Sequence, residues 1–156
     1  MKKILIALDY DKTSQKVAEA GYSMAKAMEA EVVLLHVISD PVYYSSTAYS
    51  PIMGLTEPLG VDPLNFDSPD RMRNVSQHFL DGMKSHLKDE NVQTLLQDGD
   101  FADSILKAAK GLHADIIVMG SHSHKWLENI LIGSVTEKVL RQTTIPLFIV
   151  PTKKRG

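Results

Sequence analysis

The stretch GSHSHKWLENILIGS, from Gly120 to Ser134, gathers the residues of this chain best able to do chemistry. Two glycines bracket it, a serine stands beside each, and His122 and His124 lie one residue apart. Three chemistries fit such a stretch: a loop that holds a phosphate, a metal site, or a turn that leads into a helix. The metal reading is weak in its donors. Residues i and i+2 chelate only from extended backbone, no carboxylate lies closer than Glu128, and the chain has no cysteine to complete a ligand set. No metal site is expected there, and a histidine pair in a loop beside phosphates is the better account. Gly133-Ser134, ahead of an apolar helical pattern, has two readings. Free backbone N–H groups and the helix dipole would receive an anion, or Ser134 would cap its own helix, with Glu137 at capping-box spacing. Spacing alone leaves both open.

A second group with chemical potential is Asp9 and Asp11 in ALDYDKTS. Two carboxylates there could hold Mg²⁺ through water, or simply open a helix. The usual nucleotide signatures are absent. No G-x-G-x-x-G follows the first apolar run, no G-x-x-x-x-G-K-[ST] occurs, and IGSV lacks the lysine that reaches terminal phosphates. Neither an ordinary dinucleotide enzyme nor a P-loop NTPase fits. The other histidines read as structural: His36 as buried and hydrogen-bonded within a strand, and His78, His86 and His113 on or near helix surfaces.

These residues need elements to position them. Four apolar runs, KILIALD (3–9), VVLLHVI (32–38), DIIVMG (115–120) and PLFIVP (146–151), are nearly continuous rather than alternating. Strands of a parallel sheet read this way when helices cover both faces. A fifth, NVQTLLQDG (91–99), interleaves Gln93 and Gln97 with Val92, Leu95 and Leu96. One face looks wet, which places it at a sheet edge. Helical stripes lie between the runs: Val17, Ala20, Gly21, Met24 and Met28 entered at Thr13 or Ser14; then Met72, Val75, Phe79, Met83 and Leu87 behind Ser68 and Pro69. Phe101, Ile105, Ala108 and Leu112 follow Asp100, and Val135, Val139, Leu140 and Thr143 follow Ser134. Alternating strands and helices predict an α/β domain, a five-stranded parallel sheet with helices on both faces. The edge character of 91–99 favours the order 3-2-1-4-5. In such sheets ligands bind outside the carboxyl ends, where the winding reverses. That crevice lies between Asp9 and Gly120, so the opening stretch falls at the expected ligand site.

A chain of 156 residues is one domain, 1–156, with a real hydrophobic core. A net charge of −2 excludes a global field for nucleic acid or an anionic membrane, and neither is an expected partner. The apolar run Ile4 to Leu8 is too short for a signal-peptide core, and no stretch reaches membrane-spanning length. A cytoplasmic location is expected. The connection at 39–67, rich in proline and tyrosine and without a period, is far longer than the roughly 12–15 residues usual in compact domains. It reads as flexible or as a flap.

GSHSHKWLENILIGSVTEKVL resembles the nucleotide-loop region of the universal stress proteins, whose motif is G-x2-G-x9-G-[ST]. The resemblance extends to KKILIALD, LLHV, DIIVMGSH and IPLFIVP in order, and so covers most of the chain. It implies the α/β sandwich of the adenine nucleotide α-hydrolase type, a homodimer through the last strand, and a stress-response or signalling module. The module would bind an adenine nucleotide, ATP, ADP or AMP, with Mg²⁺ entering alongside it. By the resemblance Asp9 holds the adenine or ribose end with Ala7 beside it, Val37 and Met119 line the adenine pocket, and Gly120, Gly133, Ser134, Val135 and Thr136 cradle ribose and phosphates through N–H groups and hydroxyls. Ser123 departs from the motif, which has glycine there. It implies either strain in the bound loop or a hydroxyl that itself bonds a phosphate. No general base, nucleophile or arginine finger is evident, so no enzyme activity beyond slow ATP hydrolysis is expected. A weak hydrolase and a structural dimer with a vestigial site are the competing functions, and a protein partner of unknown identity is expected beside the nucleotide.

Overall fold

The structure, a computed structural model, describes residues 1–39, 69–121 and 132–152. The expected flap at 39–67, the expected cap Ser68, the paired histidines and Ser123 therefore lie outside the described residues, save for Ser39 at the edge of the first.

Strands β1 (Lys3–Ala7), β2 (Glu31–Ile38), β3 (Gln93–Asp98), β4 (Ile116–Gly120) and β5 (Leu147–Val150) form one parallel sheet in the order β3-β2-β1-β4-β5. Helices α1 (Ser14–Ala27), α2 (Pro69–Leu87), α3 (Phe101–Gly111) and α4 (Ser134–Gln142) alternate with them. Successive side chains of a strand point to opposite faces, and here both faces are covered. Ile4, Ile6, Val32 and Leu34 pack on one side with Val17 of α1 and Phe79 of α2. Leu5, Val33, Leu35 and Val37 pack on the other with Ile105 of α3 and Val139 of α4. That is the physical reason the runs are continuous in Ile, Val and Leu.

The edge position of β3 is as expected, but its cause differs. Leu95 and Leu96 are neighbours and so serve opposite faces, Leu96 toward α1 and α2 and Leu95 toward α3 and α4. The strand has no single wet face; it is half-buried on both, with Gln93 and Asp98 exposed at its ends. His36 is buried as read, 1% exposed, among Tyr10 and Phe79 with ring centroids 5.9 and 5.5 Å away. Its Nδ1 lies 2.9 Å from the Leu8 carbonyl oxygen, which can only accept, so Nδ1 carries the proton. His78, His86 and His113 are exposed.

Asp100 caps α3, its carboxylate accepting the Asp103 N–H at 3.0 Å. That bond and the Lys138 ammonium at 3.2 Å hold the Asp100 carboxyl below the usual carboxylate range. Asp100→Ala should therefore cost about 0.5–2 kcal/mol at neutral pH. A lowered folded pKa means the charge contribution is complete above the unfolded carboxylate range and fades as pH falls through the folded value. The gap in melting temperature between wild type and variant should narrow in acid; a gap independent of pH would remove the carboxylate from the account.

Candidate nucleotide site

The cleft opens where the winding reverses, at the carboxyl ends of β1 and β4. Its floor comes from strand ends: Ala7, Leu8 and Asp9 after β1, Met119 and Gly120 at β4, Leu35 and Val37 from β2. Its walls are first turns of helices. Thr13, Ser14 and Val17 come from α1, Phe101 and Ile105 from α3, Val135 and Thr136 from α4. Most of this lining is apolar, and Asp9 is the one carboxylate in it among the described residues.

Asp9 is half-buried, and its Oδ1 accepts the Tyr10 N–H at 2.8 Å. Asp11 lies outside the lining and serves the helix start instead: its Oδ1 accepts the Thr13 N–H at 3.0 Å, and its carbonyl accepts the Ser14 N–H at 3.0 Å. Of the two readings for this acidic pair, Asp11 follows the helix-opening one. Thr13 is the formal cap of α1 yet makes no side-chain cap bond.

The start of α4 corrects the capping-box expectation. Gly133, not Ser134, is the N-cap; its carbonyl accepts the Glu137 N–H at 2.9 Å, and no side chain caps the helix. Ser134 is the first helical residue and is exposed, and Glu137 pairs with Arg141 at 2.8 Å instead. Two groups assigned by resemblance to ribose and phosphates are already bonded to protein. The Gly133 N–H donates to the Ser121 carbonyl at 2.6 Å, and the Thr136 hydroxyl donates to the Gly120 carbonyl at 2.9 Å. These bonds tie the helix to the end of β4. Left without an acceptor inside the helix are the N–H groups of Ser134, Val135 and Thr136, a first turn that suits an anion.

The structure thus brings Ala7, Asp9, Val37, Met119, Gly120, Val135 and Thr136 into one cleft; Gly133 and Ser134 are not in its lining but directly precede Val135, which is. Sequence reasoning missed Phe101 and Ile105, read only as core of α3, and Thr13 and Ser14, read only as a helix entry. The available signal was topological. A helix that follows a strand at the carboxyl edge must begin at that edge, so its first turn faces the crevice.

The chain matches the model of the universal stress protein family over residues 1–151. It is 30% identical over 156 residues to the universal stress protein MJ0577 of Methanocaldococcus jannaschii, covering 97% of this chain and 96% of that protein. The solved structure of MJ0577 superposes with a TM-score of 0.73 at 26% identity, over 99% of this chain and 98% of that one. A universal stress protein solved in complex with cAMP has a TM-score of 0.61 at 16% identity, over 97% and 98% of the two chains, a likeness of fold. The parallel sheet, its strand order and the family match over nearly the whole length agree: the chain belongs to the universal stress protein family.

Proposed function

We propose that the protein is a non-enzymatic stress-response or signalling module that binds an adenine nucleotide (ATP, ADP or AMP) in the strand-end cleft. The observation that carries this reading is the pairing of a carboxylate with open donors across an apolar floor. Asp9 offers an acceptor for the hydroxyls or amine of a nucleoside, Val37 and Met119 offer apolar contact for a base, and the first turn of α4 offers N–H groups for phosphate. Cyclic AMP, bound by one protein of the same fold, is also an adenine nucleotide, but at that identity the reading rests on this chain's own residues. Mg²⁺ would arrive with the phosphates, since a single carboxylate in the described lining is a thin ligand set. Binding is favoured over hydrolysis because that lining holds no histidine, lysine or arginine beside Asp9 to move a proton or stabilise a transferring phosphoryl group. The module would act in the cytoplasm as a homodimer paired through β5, with a protein partner and without nucleic acid or membrane. Among the described residues no helix is long and apolar enough to cross a membrane.

Heating the protein with and without ATP tests the reading. A ligand at about 100 times its Kd adds about 2.7 kcal/mol, which for a domain of this size raises the melting temperature by roughly 5–10 °C. No shift with ATP, ADP or AMP at millimolar concentration would favour a structural dimer with a vestigial site.

A further inference from the structure

Ser121 lies just past β4, 7% exposed, and touches three separate parts of the fold. Its N–H donates to the Val150 carbonyl at 2.9 Å, extending the β4–β5 ladder by one bond. Its hydroxyl oxygen accepts the Thr152 N–H at 3.0 Å and lies 3.2 Å from the Thr152 hydroxyl. Its carbonyl accepts the Gly133 N–H at 2.6 Å, at the cap of α4. Thr152 is equally buried at 6%. Neither residue lines the cleft.

Two buried hydroxyls at the end of an apolar sheet cost free energy unless each satisfies the other. Here they do, and the result is directional. Ser121 is held from the β5 side at two points, its N–H on the Val150 carbonyl and its hydroxyl on the Thr152 N–H, which limits how far its carbonyl can turn from the Gly133 N–H. That carbonyl sets the direction of the Gly133 N–H, and the next three N–H groups are the open first turn of α4. A second tie, Thr136 to the Gly120 carbonyl at 2.9 Å, holds the same turn against β4 from the cleft side.

We propose that Ser121, braced by Thr152, is a positioning residue for the anion end of the cleft. It aims the α4 N–H groups at phosphate without touching ligand, so that the residue following β5 belongs functionally to a site it does not line. The proposal rests on the adenine-nucleotide reading above. It concerns the phosphate end alone, since Asp9 follows β1, Val37 lies on β2, and Met119 is held within β4 by its own pairing with Ile149. Loss of the brace should weaken phosphate recognition and spare nucleoside recognition, whereas general damage to the fold would weaken both.

Calorimetric titration of ATP and of adenosine into wild type, Ser121→Ala, Thr152→Val and Thr152→Ser separates these cases. Ser121→Ala should weaken ATP about three- to tenfold, the effect of one lost hydrogen bond, with adenosine affinity changed less than about twofold. Thr152→Val should act in the same sense and more weakly, because its N–H is kept, and Thr152→Ser should restore wild-type ATP affinity. If Ser121→Ala does not fold, the two Thr152 variants decide. Parallel losses for ATP and adenosine, or unchanged ATP affinity in both Ser121→Ala and Thr152→Val, would overturn the assignment. A wild type that binds neither ligand overturns the nucleotide reading itself.

Discussion

Asp9→Ala should weaken adenine-nucleotide binding roughly ten- to a hundredfold and leave the fold in place. A hydrogen bond to a charged group contributes about 1.5–3 kcal/mol, and 1.4 kcal/mol is a decade of affinity. Asp9 stands beyond the last residue of β1, half-buried, in the cleft lining rather than in either hydrophobic core. Its Oδ1 accepts the N–H of the next residue, Tyr10, so one contact the variant gives up is a local turn bond. Isothermal calorimetry with ATP measures the affinity, and circular dichroism checks the fold. An unchanged affinity in a folded variant would place the ligand elsewhere on the molecule.

The position of Asp9 was legible from the sequence because it depends on two local facts, an apolar run and the carboxylate that ends it. The same holds for Gly120 and Met119; the strand order was only favoured, because the polar residues of 91–99 mark one edge of the sheet and leave the other positions open. What was not legible depends on contacts between distant residues. The Gly133 N–H and the Thr136 hydroxyl look like free donors in the sequence; they are occupied because the end of β4 passes within hydrogen-bond reach of the start of α4. Ser121 and Thr152 are 31 residues apart and meet only because β4 and β5 pair in register, Gly120 beside Val150. Helix ends were hidden for another reason. The residues after α1, α2 and α3 take left-handed backbone at Glu29, Lys88 and His113, with φ of 53°, 55° and 54°, where the usual glycine signal is missing.

Phe148→Lys and Val150→Lys should fail in different ways, and the difference bears on assembly. The two side chains lie two apart on β5, an edge strand, and so point to the same face. Val150 is 4% exposed within the core shared with α1, while Phe148 is 41% exposed. A lysine at Val150 would bury an unpaired ammonium and should cost several kcal/mol, giving insoluble or unfolded protein. A lysine at Phe148 should leave the monomer folded. An apolar edge strand invites pairing, and Leu140 of α4, 47% exposed, adds a second uncovered apolar side chain to this end of the chain. Taking a phenylalanine side chain as about 200 Å², the 41% still exposed on Phe148 is worth about 2 kcal/mol when covered. A two-fold interface counts that contribution twice. For the proposed homodimer paired through β5, the dissociation constant should then rise by roughly three powers of ten in Phe148→Lys, a shift from dimer to monomer that sedimentation at micromolar concentration reads directly. A wild type that sediments as a monomer there would remove the homodimer, and a Phe148→Lys variant that stays dimeric would move the interface away from β5.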